Sequence, residues 1–378
     1  MDTVRPSLGV VSYAPIQYHV PLWRMLTKRG NVDLDLLFLS DRGISPISDS
    51  EFGVPIRWDI DLLSGYSHSF LGTAAGPGST AGRLRALARW IPEHDAVVVN
   101  GYTSPWMLAA MAICKARAVP YLLRGSSHPE GTSSGIRRHL RPVATRIVVS
   151  GSADCLSMGY LNEIFYRQNH ARSVIFVPNS VDDARFARPP AVGRSELLAR
   201  WGLNENLPLI VFSGRLVGRK RPLDLAAAVN RLPTEVNVLF VGDGPLAGQL
   251  RAALPADRSA VTGFINQADI PSYYHAADIV VLTSEIEAWG LVVNEAMAAG
   301  ALPVVSDRVG CAPDLVEGVG EVFRCGDVAD LTAALGRAAA EVRDTAVRDR
   351  VRKHVARYSL ERTAEGFEQS ALAVASRR

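Results

Sequence analysis

The chain has 378 residues, more than one hydrophobic core usually supports, so its length favours two domains. Its 48% hydrophobic and 21% charged residues are typical of a soluble globular enzyme. The net charge of +3, from 41 basic and 38 acidic residues, is too small to indicate nucleic acid as a partner.

Targeting and metal-binding signals are weak throughout. The first six residues contain an acid and no apolar run, so we expect no secretory signal, and no stretch of 18 apolar residues predicts a transmembrane helix. The cysteines lack Cys-x-x-Cys spacing, which predicts reduced thiols, a cytoplasmic location and no metal site; they are Cys114, Cys155, Cys311 and Cys325. Peripheral membrane contact and the oligomeric state stay open.

Short apolar, β-branched runs alternate with segments of helical period along the chain. Runs of this kind are typical of parallel strands buried on both faces, separated by helices. They occur in two series, at 8–13, 32–39, 96–100, 119–123, 146–150 and 173–177, and then at 207–213, 236–241, 260–263, 279–283 and 302–306. The fold class predicted is α/β, with two Rossmann-like doubly wound lobes and a cleft between them.

The division between the lobes is predicted at residues 185 and 186. A linker composition follows, with Pro189, Pro190 and Gly193. The first lobe then covers 1–185 and the second 186–358, and helices are predicted over 195–201 and 360–375.

Polar residues follow several strands of the first lobe, where ligands of doubly wound sheets bind. After the first strand these are Gln17, Tyr18 and His19, which either bind a polar ligand or pack their loop. Asn100 and Arg124 end later strands, and His128 is either a catalytic group or a loop histidine. For the basic segment 137–141, a solvated helix face is favoured over contact with an anionic ligand or a membrane.

The first strand of the second lobe leads into a basic, glycine-containing turn at 213–220. Gly214 permits close backbone approach, and a helix N-terminus favours phosphate. Arg215 and Lys220 add cations suited to stabilising a diphosphate leaving group without metal. The alternative is an ordinary basic surface loop, which is the interpretation favoured for Arg219 and Arg221.

The next strand is followed by Gly242 and Gly244, a partial dinucleotide fingerprint. No acidic residue ends the following strand at 260–263, which argues against a nicotinamide cofactor. Glu287 and Glu295 lie in a later strand–loop–helix segment at 283–300. If that segment were wholly helical they would be about 12 Å apart, suited to two parts of one elongated ligand. Otherwise Glu287 caps the helix and Glu295 lies on its solvated face.

The segment 283–300 resembles the Glu-x7-Glu signature of family 4 glycosyltransferases, including the trailing Glu-Ala-Met-Ala-Ala-Gly at 295–300. The turns at 214–220 and 242–245 are similar to that family's diphosphate clamp and Gly-x-Gly-Pro turn. The segment 178–186 is similar to its interlobe turn. The resemblance is specific over 173–320 and diffuse before it.

This resemblance implies a GT-B fold and a metal-independent transfer that retains anomeric configuration, with a nucleoside-diphosphate sugar as donor substrate and no separate cofactor. Glu287 would contact the donor sugar, Glu295 the ribose, and Arg215 and Lys220 the diphosphate. The other residues implied to lie near the nucleotide are Gly214, Gly242, Gly244, Phe264, Ile265, Gly290 and Leu291. Packing is an equal alternative for Phe264.

The first lobe would bind the acceptor, and the C-terminal helix, 359–378, would pack back on that lobe. Here the sequence departs from the family: the usual Gly-Gly loop is missing after the first strand, and His128 comes several residues later than the family's histidine. We expect a UDP- or GDP-linked donor and a small natural product or glycan precursor as acceptor. The alternatives are an epimerase or hydrolase on the same fold, or a nucleotide-sugar-binding protein without activity.

Overall fold

A computed structural model describes residues 5–44, 47–48, 55–56, 58–73, 78–127 and 137–377, without the side chains of 47–48, 55–56 and 137–141. They form two compact units. The first unit draws on Met1–Ser45, Asp61–Asn179 and Leu360–Arg378, and the second on Pro46–Ile60 and Ser180–Ser359. The predicted division at residue 185 stays a prediction, and the units of the structure divide after Asn179.

The first unit is built on a parallel sheet with strand order β5-β2-β1-β6-β7-β8-β9. Its strands are β1 (Ser7–Ser12), β2 (Asp33–Phe38), β5 (Ser67–Phe70), β6 (Ala96–Asn100), β7 (Tyr121–Arg124), β8 (Asp154–Ser157) and β9 (Val174–Phe176). Its helices are α1 (Val20–Arg29), α2 (Thr80–Trp90), α3 (Pro105–Ala116), α4 (Arg137–Gly151), α5 (Tyr160–Gln168) and α14 (Leu360–Ala375).

The C-terminal helix α14 packs on the helix that follows the first strand. The Phe367 ring meets the Trp23 ring of α1 edge to face, with centroids 5.8 Å apart. Arg29 at the end of α1 donates two 2.8 Å hydrogen bonds to the Glu368 carboxylate. The bounds predicted for this helix, 360–375, are confirmed.

The second unit contains a parallel sheet with strand order β12-β11-β10-β13-β14-β15. Its strands are β10 (Leu209–Ser213), β11 (Asn237–Val241), β12 (Ser259–Val261), β13 (Ile279–Leu282), β14 (Leu302–Ser306) and β15 (Glu321–Phe323). Its helices are α6 (Asp183–Ala187), α7 (Arg194–Arg200), α8 (Pro222–Val229), α9 (Ala247–Ala253), α10 (Ile270–Ala276), α11 (Leu291–Ala299), α12 (Val328–Glu341) and α13 (Ala346–Val355). A two-stranded hairpin, β3 (Ile47–Ser48) and β4 (Pro55–Ile56), is antiparallel.

The α/β class predicted from the apolar runs is confirmed by two parallel sheets flanked by helices. One predicted strand is wrong: residues 146–150 lie in helix α4, and the strand comes later as β8. Within the Ile-Val-Val run, Val149 is buried while Ile147 is 65% exposed, as expected for a helix with one face against a core.

Two further predictions concern the environment of the chain. Among the described residues, no helix combines the length and apolar character needed to cross a membrane. The four cysteines are free, and Cys114, Cys155 and Cys311 are buried.

Candidate active site

The basic turn of the second unit begins where β10 ends. Gly214 has a φ of 149°, in the range that favours glycine, and a Cβ added there would have no atom within 4 Å. Arg215 follows directly and is half-buried, and the chain then forms a 3-10 turn at Gly218–Lys220 before α8. The carboxyl end of β10 therefore presents an open backbone position flanked by cations.

Gly242 and Gly244 lie beside this turn, and the structure shows why they are glycines. A Cβ on Gly242 would lie 2.0 Å from the Gly214 carbonyl oxygen, and one on Gly244 would lie 2.7 Å from the Leu216 oxygen. Backbone hydrogen bonds of 2.9 Å join the two turns, from Gly214 N–H to the Val241 oxygen and from Leu216 N–H to the Asp243 oxygen. Close packing of the two turns therefore requires these glycines, whether or not a nucleotide lies near them.

Lys220 and Glu287 are brought together by different elements. The Lys220 ammonium forms an ion pair with the Glu287 carboxylate, and both side chains are about one-fifth exposed, at 20% and 21%. Thr283, after β13, donates to the backbone oxygens of Lys220 at 2.7 Å and of Arg221 at 2.9 Å. The two charged residues are thus held at neighbouring strand ends.

Glu295 is buried on helix α11, the helix that follows Glu287 in the chain. Gly290, with a φ of 100°, precedes Leu291 and α11, and Glu295 on that helix is 2% exposed. The Tyr274 hydroxyl lies 3.0 Å from both Glu295 Oε2 and Ser213 Oγ. Burial raises the pKa of Glu295 to about 7, although the Tyr274 hydrogen bond and the Arg185 charge lower it. The alternative of a solvated helix face is wrong for Glu295.

Phe264 and Ile265 follow β12, and both are half-buried. The Phe264 ring meets the indole of Trp58 at a centroid distance of 6.3 Å and an angle of 60°. The carboxylate of Asp59 accepts a 3.1 Å hydrogen bond from Ala268 N–H. Sequence reasoning missed Trp58 and Asp59, because they lie about 200 positions before the residues that they contact and no local pattern links them.

Four of the polar residues predicted to bind the acceptor lie near one another in the first unit. Asn100 Nδ2 lies 3.4 Å from His19 Nδ1, and Gln17 and Tyr18 precede this histidine in the turn before α1. Desolvation, with a smaller contribution from the charge of Arg124, lowers the pKa of His19 to about 3. His19 is therefore neutral at physiological pH.

Arg124 occupies a different environment from the one predicted. Its side chain is 3% exposed and donates hydrogen bonds to the backbone oxygens of Val177 at 2.9 Å and Pro178 at 3.4 Å. Its guanidinium lies 5.4 Å from the centroid of the Phe367 ring. Arg124 therefore stabilises the chain that leaves β9, and its contact with a substrate stays a prediction.

His128 lies outside the described residues. The segment that follows β7, up to Ser127, is fixed by hydrogen bonds. Asn162 donates to the Gly125 oxygen at 2.8 Å and to the Ser127 oxygen at 2.7 Å. The Tyr102 hydroxyl is hydrogen-bonded to Ser127 Oγ. Among the residues that the structure describes, no group of three or more acidic, histidine or cysteine side chains could hold a metal ion.

Comparison with known proteins shows what the second unit resembles. Residues 193–350 match the model of the family described as glycosyl transferases group 1. This segment is therefore similar to the group 1 glycosyl transferases. The matched glycosyl transferase segment contains Arg215, Lys220, Glu287 and Glu295.

Three curated glycosyltransferases illustrate the sequence similarity. The sulfoquinovosyl transferase SQD2 of Arabidopsis thaliana is 37% identical over 134 residues, 34% of this chain and 26% of that protein. A D-inositol 3-phosphate glycosyltransferase of Xylanimonas cellulosilytica is 37% identical, covering 35% and 34%. A 2-deoxystreptamine N-acetyl-D-glucosaminyltransferase of Streptomyces fradiae is 33% identical, covering 52% and 49%. The chain thus spans about a quarter to a half of these relatives.

Solved structures show the fold over nearly the whole chain. Anabaena Alr3699/HepE, solved with UDP and glucose, superposes with a TM-score of 0.72 at 17% identity, covering 97% of this chain and 100% of that one. The sucrose-phosphate synthase of Thermosynechococcus elongatus has a TM-score of 0.73 at 18% identity, covering 99% and 100%. The predicted GT-B fold is confirmed.

Proposed function

We propose that this protein is a retaining glycosyltransferase that moves a sugar from a UDP- or GDP-linked donor to an acceptor nucleophile. The observation that carries the proposal is the Lys220–Glu287 ion pair, in which Lys220 ends the turn that begins at the open backbone of Gly214, within the segment that matches the family model. The acceptor would be a small natural product or glycan precursor. A cytoplasmic location is also part of the proposal, supported by the free cysteines.

In this proposal the second unit binds the donor. Arg215 and Lys220 bind the diphosphate, and an ammonium has three donors, so its ion pair with Glu287 leaves two for phosphate oxygens. Glu287 accepts hydrogen bonds from donor sugar hydroxyls and Glu295 binds the ribose. For Glu295 this requires access to a carboxyl that is 2% exposed, with Tyr274 as its present partner.

The chemical step needs no metal if cationic side chains stabilise the leaving group. The bond from the anomeric carbon to the diphosphate oxygen breaks, and negative charge develops on that oxygen, where Lys220 and Arg215 stabilise it. The acceptor oxygen attacks from the same face, which retains the configuration. Its proton passes to the departing phosphate oxygen.

Replacement of Lys220 tests the proposed stabilisation. We expect Lys220→Ala to lower kcat about 100-fold, because removing one positioned donor to a developing oxyanion has an effect of that order. The measurement is release of nucleoside diphosphate and of glycoside, with the donor chosen by nucleotide binding. The acceptors named for relatives, 2-deoxystreptamine and D-inositol 3-phosphate, serve as trial acceptors.

The matched control is Lys353→Ala, which removes the same side chain from an exposed position on α13. We expect its kcat to equal that of the wild type. An unchanged kcat in Lys220→Ala contradicts the role of Lys220. Nucleotide release that is the same with and without acceptor favours a hydrolase.

A further inference from the structure

The first unit contains a cavity of about 790 Å³ whose lining includes none of the residues proposed to bind the donor. It lies where β1, β2, β5 and β6 end, and all of its lining residues belong to the first unit. Its volume falls within the range of small-molecule sites. Of the acceptor residues predicted from the sequence, Asn100 lines it.

The charged wall of this cavity contains a positioned guanidinium. Arg83 of α2 has its Cζ 5.1 Å from the centroid of the Trp106 ring. A Cβ on Gly72 would lie 2.2 Å from Arg83 Nη2, so a glycine at this position leaves the space that the Arg83 guanidinium occupies. Because the guanidinium is already held between an aromatic ring and the backbone of a glycine, its side chain loses little conformational entropy when it binds a ligand.

Two more charges come from the turn after β2. Asp41 is half-buried and Arg42 exposed, and both line the cavity. The Arg42 amide donates to Ser40 Oγ at 3.2 Å, which helps to fix the turn. The charged residues that line the cavity are Arg42, Arg83 and Asp41, so they carry a net positive charge.

We propose that this cavity binds the acceptor through an oxyanion, a phosphate or a carboxylate, that Arg83 holds with Arg42, while Trp106 contacts the acceptor's ring. An arginine has five N–H donors in a planar fork that fits both anions, so a protein partner of Arg83 leaves donors for a ligand. That the bound ligand is the acceptor of a transfer reaction rests on the proposed function, whereas the binding of an anion in this cavity does not depend on it.

Binding of matched anionic and neutral probes tests this assignment. Calorimetric titration of the full chain compares D-inositol 3-phosphate with myo-inositol, and glucuronate with glucose. We expect at least one anion to bind about tenfold or more tighter than its neutral partner, since charge-assisted hydrogen bonds are the strong ones. The two pairs show whether the anion is a phosphate or a carboxylate.

Three variants locate the binding. Arg83→Gln should remove the tenfold preference, and the matched control Arg85→Gln, an exposed arginine of the same helix outside the cavity, should keep it. Gly72→Ala keeps every charge but displaces the guanidinium, so it should weaken anion binding as Arg83→Gln does. The displaced atoms are the end of a flexible side chain, which makes this variant compatible with folding.

Equal affinity of the protein for charged and neutral probes overturns the proposal. Loss of the preference for the anion to the same extent in Arg83→Gln and in Arg85→Gln also overturns it. The Lys220→Ala variant should keep the preference, and its loss there would place the anion at the donor residues instead. Nucleotide titrations run in parallel separate the two proposals. If the protein binds a nucleotide but shows no preference for the anionic probes, the proposed function is supported and the cavity assignment is wrong. If it prefers the anionic probes but binds no nucleotide, the cavity assignment is supported and the proposed function is wrong.

Discussion

The two glutamates of the second unit, eight positions apart in the sequence, lie in different environments. Glu287 is one-fifth exposed and paired with Lys220, whereas Glu295 is buried against the Tyr274 hydroxyl. The family resemblance implied that Glu287 contacts the donor sugar and Glu295 the ribose. It could not predict Tyr274 as a partner, because a contact between residues 21 positions apart depends on how α10 and α11 pack.

Burial of Glu295 gives a test through pH. Its pKa rises from 4.5 to about 7 on folding, so between these values the folded protein holds a proton that the unfolded chain releases. The stability that this proton contributes is present below pH 4.5 and lost as the pH rises through 7. We expect the unfolding free energy of the wild type to fall by about 2 kcal/mol more than that of Glu295→Gln between pH 5 and pH 8.

Denaturant unfolding of both proteins at the two pH values measures this difference, because titration of all other groups is common to them. A difference that stays constant between pH 5 and pH 8 would show that Glu295 is ionised in the folded protein. In that case its hydrogen bond with Tyr274 and the charge of Arg185 outweigh the cost of burial.

At the scale of elements, the buried parallel strands were the predictable part. Strand β6 and strand β14 have the predicted bounds, and each contains a short run of buried valines that is typical of a central parallel strand. Strand β5, with the sequence Ser-His-Ser-Phe, was missed because it lies at the edge of its sheet and is polar. The Ile-Val-Val run of α4 predicted a strand because β-branched residues have a high strand propensity. The run is helical in the structure, since that local propensity does not show which face of a segment packs on the core.

The packed turns after β10 and β11 give a prediction at this scale. Gly242→Ala should destabilise the second unit by about 3 kcal/mol or more, since the new Cβ meets the Gly214 oxygen and φ is 148°. The control is Gly248→Ala, on the exposed face of α9 with no atom within 4 Å, which should stabilise by about 0.5–1 kcal/mol. Urea unfolding compares the two, and equal stabilities would contradict the close packing of the turns.

Across the whole molecule, local sequence motifs point to the residues proposed to bind the donor but not to those that line the cavity of the first unit. The residues proposed to bind the donor, among them Arg215, Lys220 and Glu287, lie in short contiguous motifs, which is why a family resemblance could single them out. The first unit's cavity combines Arg83 and Trp106 from two helices with Gly72 from a strand end, and no local pattern joins them. Arg124 was predicted to bind substrate because it ends strand β7, but its burial against the chain that leaves β9 depends on tertiary packing.

The central claim is that the second unit binds a nucleoside-diphosphate sugar without metal, and calorimetric titration with UDP, GDP, ADP and dTDP tests it most directly. We expect one nucleotide to bind tightly, with the same affinity in the presence of EDTA, because Arg215 and Lys220 supply the positive charge. Its identity would name the donor class. Failure of a folded protein to bind any of the four, or binding that EDTA abolishes, would contradict the account.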